Sequence, residues 1–372
     1  MKSLNSKTCN ELCTTLKLSN CRTIIIILTV LTLNLRFETL NCFAQDIHFS
    51  QYYANPLNIN PASAGSFNEN ARILLTYKDQ WGQLENPYKT YAFSADAGFL
   101  RNKLKTGYLG GGINLLHDIA GITKLSTTVI NLSVSYHVKL SRLNMLTAGI
   151  QGGIIQNNIN STDMQWDNQY DGNGFNPALA SGENINYDGF LLGDASIGLL
   201  WKYQSEKVKI LISNEGIKTE IGVAAFHVNK PEYSFFNASK DNLYTRFVAH
   251  GKASVEISNT NFAVVPTFTF MRQSVSGELI LGSYFRFMVK DNSANKGFLY
   301  STALSVGTHY RWGDAWIFSV LFESKHWALG LSYDMNTSSL KYATNKDGGI
   351  EVTLRFTTPN PFEYRNRGNS LL

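Results

Sequence analysis

The sequence predicts an all-β chain folded as a transmembrane antiparallel β-barrel of about 14 strands. Three observations predict it. After residue 70, apolar and polar residues alternate with period two, where helices need a period of 3.6. Charged residues make up only 16% of the 372, below the roughly 25% of ordinary globular chains, while Tyr, Phe and Gly number 18, 22 and 29. Beyond the first 44 residues there is no apolar run long enough for a membrane-spanning helix.

Residues 1–44 read as a signal peptide. Lys2, Lys7, Lys17 and Arg22 form a basic start, and Thr23–Leu33 is an apolar core of 11 residues, well short of the ~20 that span a bilayer. Cys42-Phe43-Ala44 supplies small residues around a cleavage before Gln45. A lipid anchor on Cys42 is the alternative, and Asn41 is a poor residue for it. Cys9, Cys13, Cys21 and Cys42 all lie in this leader, so the exported chain has no disulfide framework and no cysteine metal site. Lys2, Lys7, Lys17, Arg22 and Arg36 against Glu11 and Glu38 account for most of the net charge of +5. Nothing there argues for nucleic acid as a partner.

Residues 45–70 form an irregular motif segment. In Gln45–Gly65, Phe49, Tyr52 and Tyr53 precede Asn55-Pro56, Asn60-Pro61 and the small run Ala62-Ser63-Ala64-Gly65. Residues before proline are pushed towards extended or turn backbone, so this segment is too interrupted for a helix and reads as an ordered strap or plug. It belongs at the periplasmic mouth or inside the lumen.

The barrel occupies 71–358. Alternation places strands at 71–79, 89–99, 105–117, 123–140, 143–156, 189–204, 217–228, 243–258, 260–272, 277–290, 298–311, 315–323, 325–335 and 348–358. Many exceed the 5–6 residues of soluble sheets and suit the 9–11 of a tilted membrane strand. In 129–140, Ile130, Leu132, Val134, Tyr136, Val138 and Leu140 share one face, against Asn131, Ser133, Ser135, His137 and Lys139. Val208–Ile212 leaves open an extra short strand. Ser141-Arg142, Asn259 and Gly313-Asp314 read as tight periplasmic turns, and Asn157–Asp188 and Asn229–Asn242 as long outer loops. A polar tail, 359–372, follows.

A membrane barrel turns its apolar face to lipid and its polar face to the lumen. That assigns Arg246, His250, Lys252, Glu256, Glu278, Arg286, Glu351 and Arg355 to the lumen, mixed in sign and able to pair across it. A soluble β-sandwich shows the same alternation with its apolar face inward. The leader, the strand lengths and the low charge favour the barrel.

The chain ends on Ser332-Tyr333-Asp334, Ser338, Gly348-Gly349 and Glu351, with Ile350, Val352, Leu354 and Phe356 on one face of a closing strand. Together with the Gln45–Gly65 strap, Tyr77-Lys78-Asp79-Gln80-Trp81, Phe226–Pro231 with its H-x-N-x-P spacing, and the strands around Gly282–Phe287 and Gly307–Trp312, this resembles the PorP/SprF family. Its members are outer-membrane components associated with type IX secretion and gliding motility in Bacteroidetes. The resemblance covers about 45–358, and the tail Thr357–Leu372 extends past the family's usual end. It implies an outer-membrane location, contact with membrane lipid and type IX components, and a non-enzymatic role in secreting or attaching adhesin-type cargo. The strap residues Phe49, Tyr52, Tyr53, Asn55, Pro56, Asn60 and Pro61, with Trp166 in the long loop, are the candidate partner contacts.

Competing chemistry is weak. The seven histidines are scattered without a HExxH pair, so neither a metal nor another cofactor is expected. Gly110-Gly111-Gly112 lies within a strand and marks a bend in the wall, not a phosphate loop. Asp163, Asp167 and Asp171 around Trp166 lack EF-hand spacing and read as a solvated loop. There is no Gly-x-Ser-x-Gly elbow, and the chain is not expected to be an enzyme. Trp201, Trp312, Trp316 and Trp327, with Tyr108, Tyr136, Tyr284 and Tyr310, read as an interfacial girdle. The alternative function is a passive channel for a small hydrophilic or amphipathic solute, on the strength of the charged lumen.

Overall fold

In the computed structural model every strand pairs antiparallel with its neighbour in sequence, and the last returns to the first, closing one 14-stranded barrel. The structure describes residues 46–358, apart from 84–85, 102, 161–163, 183–188, 206–216, 234–241, 258–259, 290–301 and 325. The strands are β1 (Ala71–Gln80), β2 (Tyr88–Phe99), β3 (Gly107–Ala120), β4 (Leu125–Lys139), β5 (Asn144–Asn158), β6 (Phe190–Gln204) and β7 (Ile217–Phe226). They continue with β8 (Arg246–Glu256), β9 (Phe262–Gln273), β10 (Ser276–Val289), β11 (Thr302–Arg311), β12 (Ala315–Ser324), β13 (Trp327–Asn336) and β14 (Asp347–Thr357). Closure leaves no sheet edge, which a bilayer requires. The leader, Val208–Ile212 and the tail 359–372 lie outside the described residues.

The sense of the alternation decides between barrel and sandwich. On β4, Leu132 and Val134 are exposed while Ser133, Ser135 and His137 are buried. The same holds on β6, with Leu191, Ile197 and Leu199 out and Asp194 and Ser196 in. An exposed apolar wall around a polar interior is a surface made for lipid. Trp316, Trp327, Tyr136 and Tyr333 are exposed near strand ends, as interfacial aromatics are. Tyr108 and Tyr284, expected beside them, instead point inward and are buried; both sit on the even, lumen-facing register of their strands.

Turn lengths are also distributed differently from expectation. The turn at 312–314 falls at the same end as the long connections 159–189 and 227–245, since all three follow odd-numbered strands. Ser141-Arg142 lies at the opposite end, where β1 starts and β14 finishes. The loop-bearing end is therefore not uniformly long-looped.

Candidate functional site: the lumenal strap and its socket

The strap runs through the lumen from one mouth to the other. It is not wholly irregular: single 3₁₀ turns at Tyr52–Ala54 and Pro61–Ser63 flank one helical turn, α1 (Pro56–Ile59). The prolines that exclude a long helix are well placed to start a short one, because the first helical position has no use for its N–H. Asn60 turns the chain between the two, its side-chain oxygen accepting from Ala62 N at 2.9 Å.

At the loop-bearing mouth Asp46 is clamped from several strands. Its amide donates to Gln273 Oε1 (2.9 Å) and its carboxylate accepts from Gln273 Nε2 (3.1 Å). His227 Nε2 lies 2.6 Å from Asp46 Oδ2, and His227 Nδ1 lies 2.8 Å from Asp194 Oδ1. Arg246 Nε approaches Asp46 at 3.3 Å. Burial alone would lower the His227 pKa, but the Asp46 and Asp194 carboxylates outweigh it and push it up to about 9. Burial works against the Asp46 carboxylate too, yet Arg246 and His227 hold it well below the ordinary range.

One level down, Glu351 accepts from the amides of Ser50 (2.8 Å) and Gln51 (3.0 Å). Ser50 Oγ donates to Asp334 (2.6 Å), and Arg311 Nη2 donates to both Ser50 Oγ (2.8 Å) and Asp334 (2.9 Å). Lys78 Nζ donates to His48 O (2.9 Å). These contacts satisfy strap backbone groups that would otherwise be buried without partners.

Mid-lumen, Tyr52 and Ile59 pack on Phe226, Val248, Met271, Ile280 and Ile317, while Phe49 packs on Ala92 and Leu116. Tyr53 meets Tyr284 edge-on at 5.2 Å. Among the described residues the two larger buried apolar clusters are thus where the strap lies. Asn55 Nδ2 reaches Thr76 (3.1 Å), Asn60 Nδ2 donates to Leu199 O (2.9 Å), and Arg246 Nη2 donates to Asn58 O (3.1 Å).

At the far mouth the strap touches bare wall. A side chain on Gly149 would collide with the Ala62 backbone, and one on Gly110 with the Ala64 carbonyl. Within the Gly110-Gly111-Gly112 run, Gly110 and Gly112 are therefore clearance for the strap, the latter against Leu57, while Gly111 faces Phe99. Gly65 itself has φ +66°, and a Cβ there would lie 2.6 Å from Ala97 O. Its amide donates to Asp96 (2.9 Å), which Arg72 also grips at 2.7 Å. Ser135 Oγ and His137 Nε2 both donate to Ala64 O, at 2.7 and 2.8 Å, and Lys202 Nζ donates to Ser66 O.

The residues assigned to the lumen lie on inward registers. Arg246 and Glu351 hold the strap, and His250 lies 3.2 Å from Asn60 Nδ2. Lys252 pairs with Glu220 (3.4 Å), Arg286 and Arg355 with Glu323 (2.8 and 2.6 Å), and Glu278 with His48 and Arg311 (3.6 and 3.7 Å). Glu256 is half-buried at the far end of β8. Of the candidate partner contacts, Phe49, Tyr52, Asn55, Asn60 and Pro61 are buried, and Tyr53 and Pro56 are half-buried within the lumen. A partner reaches these side chains only if the strap leaves its socket. Trp166 is half-buried in the long connection 159–189, where Tyr170 and Phe175 are exposed. Among the described residues no three His, Cys, Asp or Glu side chains converge as a metal site.

A profile described as type IX secretion system membrane protein PorP/SprF matches residues 41–356. The chain belongs to the PorP/SprF family. No curated protein matches it. Among solved structures it is similar to BamA from Haemophilus ducreyi lacking POTRA domains 1–3, at 9% identity and TM-score 0.41, over 78% of this chain and 70% of that one. It is also similar to the monoaromatic hydrocarbon channel CymD, at 12% identity and TM-score 0.42, over 82% and 93%. The translocator domain of the autotransporter NalP from Neisseria meningitidis is a third, at 9% identity and TM-score 0.30, over 82% and 95%.

In this PorP/SprF barrel the landmarks read from the sequence converge on the strap. Lys78 comes from the Tyr77–Trp81 motif, and His227 from the H-x-N-x-P motif. Arg311 comes from the Gly307–Trp312 strand, and Asp334 and Glu351 from the closing signature. Asn229 of the second motif is structural: its side chain accepts from Ala195 N (3.1 Å) and donates to Gly193 O (2.8 Å), aligning His227 with β6. Sequence reasoning missed Asp46, the strap's own clamped residue, and the wall residues Asp96, Lys202 and Gln273 that hold the strap, with Asp194 acting through His227. The signal of those four wall residues was a charged or amide side chain on an inward register.

Proposed function

We propose that this type IX secretion membrane barrel is a non-enzymatic docking platform, supporting secretion or surface attachment of adhesin-type cargo, and not a passive channel. The observation that carries the reading is the seated strap. Landmarks from widely separated parts of the chain are used to hold a plug across the lumen, which is poor design for a conduit. Lumenal side chains at mid-height, such as Ser94, Asn114 and Thr269, have no solvent exposure. Cargo and secretion subunits then meet the mouths and loops, with Trp166 and the exposed Tyr170 and Phe175 as contacts on the loop-bearing side.

The test is deletion of residues 46–65 in the cell. The barrel should still insert and keep its heat-modifiable gel shift, while one or a few adhesin-type proteins disappear from the cell surface. An unchanged surface proteome would sink the docking reading. Planar-bilayer recording separates the alternative: the intact protein should be silent, and a stable open pore would restore the solute-channel reading.

A further inference from the structure

The strap has a direction, and that direction was not visible in the sequence. Asp46 contacts His227, Arg246 and Gln273, which sit at the end of β7, the start of β8 and the end of β9. All three belong to the end of the barrel that carries the connections 159–189 and 227–245. Twenty residues later, Gly65 and Ser66 contact Asp96 near the end of β2 and Lys202 near the end of β6. Those positions belong to the opposite end, where β1 begins. The intermediate contacts descend in order, from Glu351 through Thr76 and Leu199 to Gly149 and Gly110. The segment is threaded the full height of the wall before the chain turns back into β1.

Which end faces out is decided by the loops. Outer-membrane barrels keep short turns on the periplasmic side and longer loops outside. The two longest connections, of 31 and 19 residues, both lie at the Asp46 end, and the longest at the other end have 12. We propose that the strap enters the lumen from the outer side, so that Asp46 and its clamp form part of the surface presented outside the cell. Residue 46 then belongs to the same outward face as Tyr170, Phe175 and Tyr244, which are exposed on the two long connections. A partner arriving from outside meets the end of the strap beside those aromatics, whereas the periplasm meets Gly65 and Ser66. The inference rests on the outer-membrane barrel and on strap geometry, and stands or falls separately from the cargo reading.

Two measurements test it. In the first, one epitope is inserted between Gln45 and Asp46, one at Gly172 in the long loop, and one between Ser141 and Arg142, each in the full-length protein. Antibody on intact cells should label the first two insertions and reach the third only after permeabilisation. Labelling of the 45/46 epitope only in company with the 141/142 epitope would overturn the proposal. The second measurement does not need an insertion to be tolerated. The chain after residue 44 lacks cysteine, so the pair Asp46→Cys and Gln273→Cys is the only thiol pair there. A membrane-impermeant oxidant or bis-maleimide added to intact cells should cross-link it within minutes, shifting the unheated band. A control pair at the other mouth, Ser66→Cys with Lys202→Cys, should resist the same reagent until cells are opened. The reverse pattern, or cross-linking of neither pair even in permeabilised cells, would refute threading from the outer side.

Discussion

His227 is the residue at which solution conditions should be felt first. In an unfolded chain its pKa lies near 6.5, and between Asp46 and Asp194 it rises to about 9. A raised folded value means that its contribution is complete below about 6.5 and is lost as pH climbs through about 9. Asp46 is lowered, so its part fades only far into acid. Hydrogen exchange of the amides around Asp46, corrected for intrinsic rate, should therefore show firmer protection at pH 6 than at pH 9.5. His227→Gln should flatten that difference. Glu351 acts through its acceptors. Glu351→Ala leaves the Ser50 and Gln51 amides buried and unpaired, at about 1–3 kcal/mol for each such group. The urea midpoint of the detergent-folded barrel should fall, with Glu351→Gln intermediate.

Strands were the legible elements; of the strap, its order and lumenal place were legible, but its path and contacts were not. Period-two alternation located all 14 strands to within a few residues, because each strand divides lipid from lumen and so must alternate. The strap has no such partition: it is enclosed on all sides, so its pattern reflects contacts with a wall the sequence does not order in space. Hence Pro56 and Pro61 were read as helix breakers when they open single turns. Tyr108 and Tyr284 looked like girdle residues until register placed them inside. The glycines belong to the same story. Gly149→Val should drive a side chain into Ala62 and destabilise the folded barrel by about 1–3 kcal/mol, read as a lower unfolding midpoint. Gly174→Ala, with open space around its Cβ position, should stay within about 0.5 kcal/mol.

The molecule as a whole is a soluble protein turned inside out, and its outer face should be correspondingly intolerant. Leu132, 62% exposed in the middle of β4, faces hydrocarbon. Leu132→Arg should cost about 2–4 kcal/mol near the bilayer midplane and lower the fraction that inserts into lipid vesicles, while the same change at Tyr342, 83% exposed beyond the strands, should not. The charged interior was readable as a face but not as a purpose. Arg246 and Glu351 looked like lumen lining suited to a channel, and only the threaded chain shows them gripping backbone. The Ser50 amide and the Glu351 carboxylate that accepts its hydrogen bond are separated by 301 positions. Contacts of such long range are entropically expensive to close and slow to form. The strap is made first, yet the Glu351 level of its socket exists only once β14, the strand that completes the ring, is in place. Seating of Ser50 and Gln51 is therefore tied to closure of the barrel, and a chain still lacking β14 leaves those two amides without their carboxylate partner.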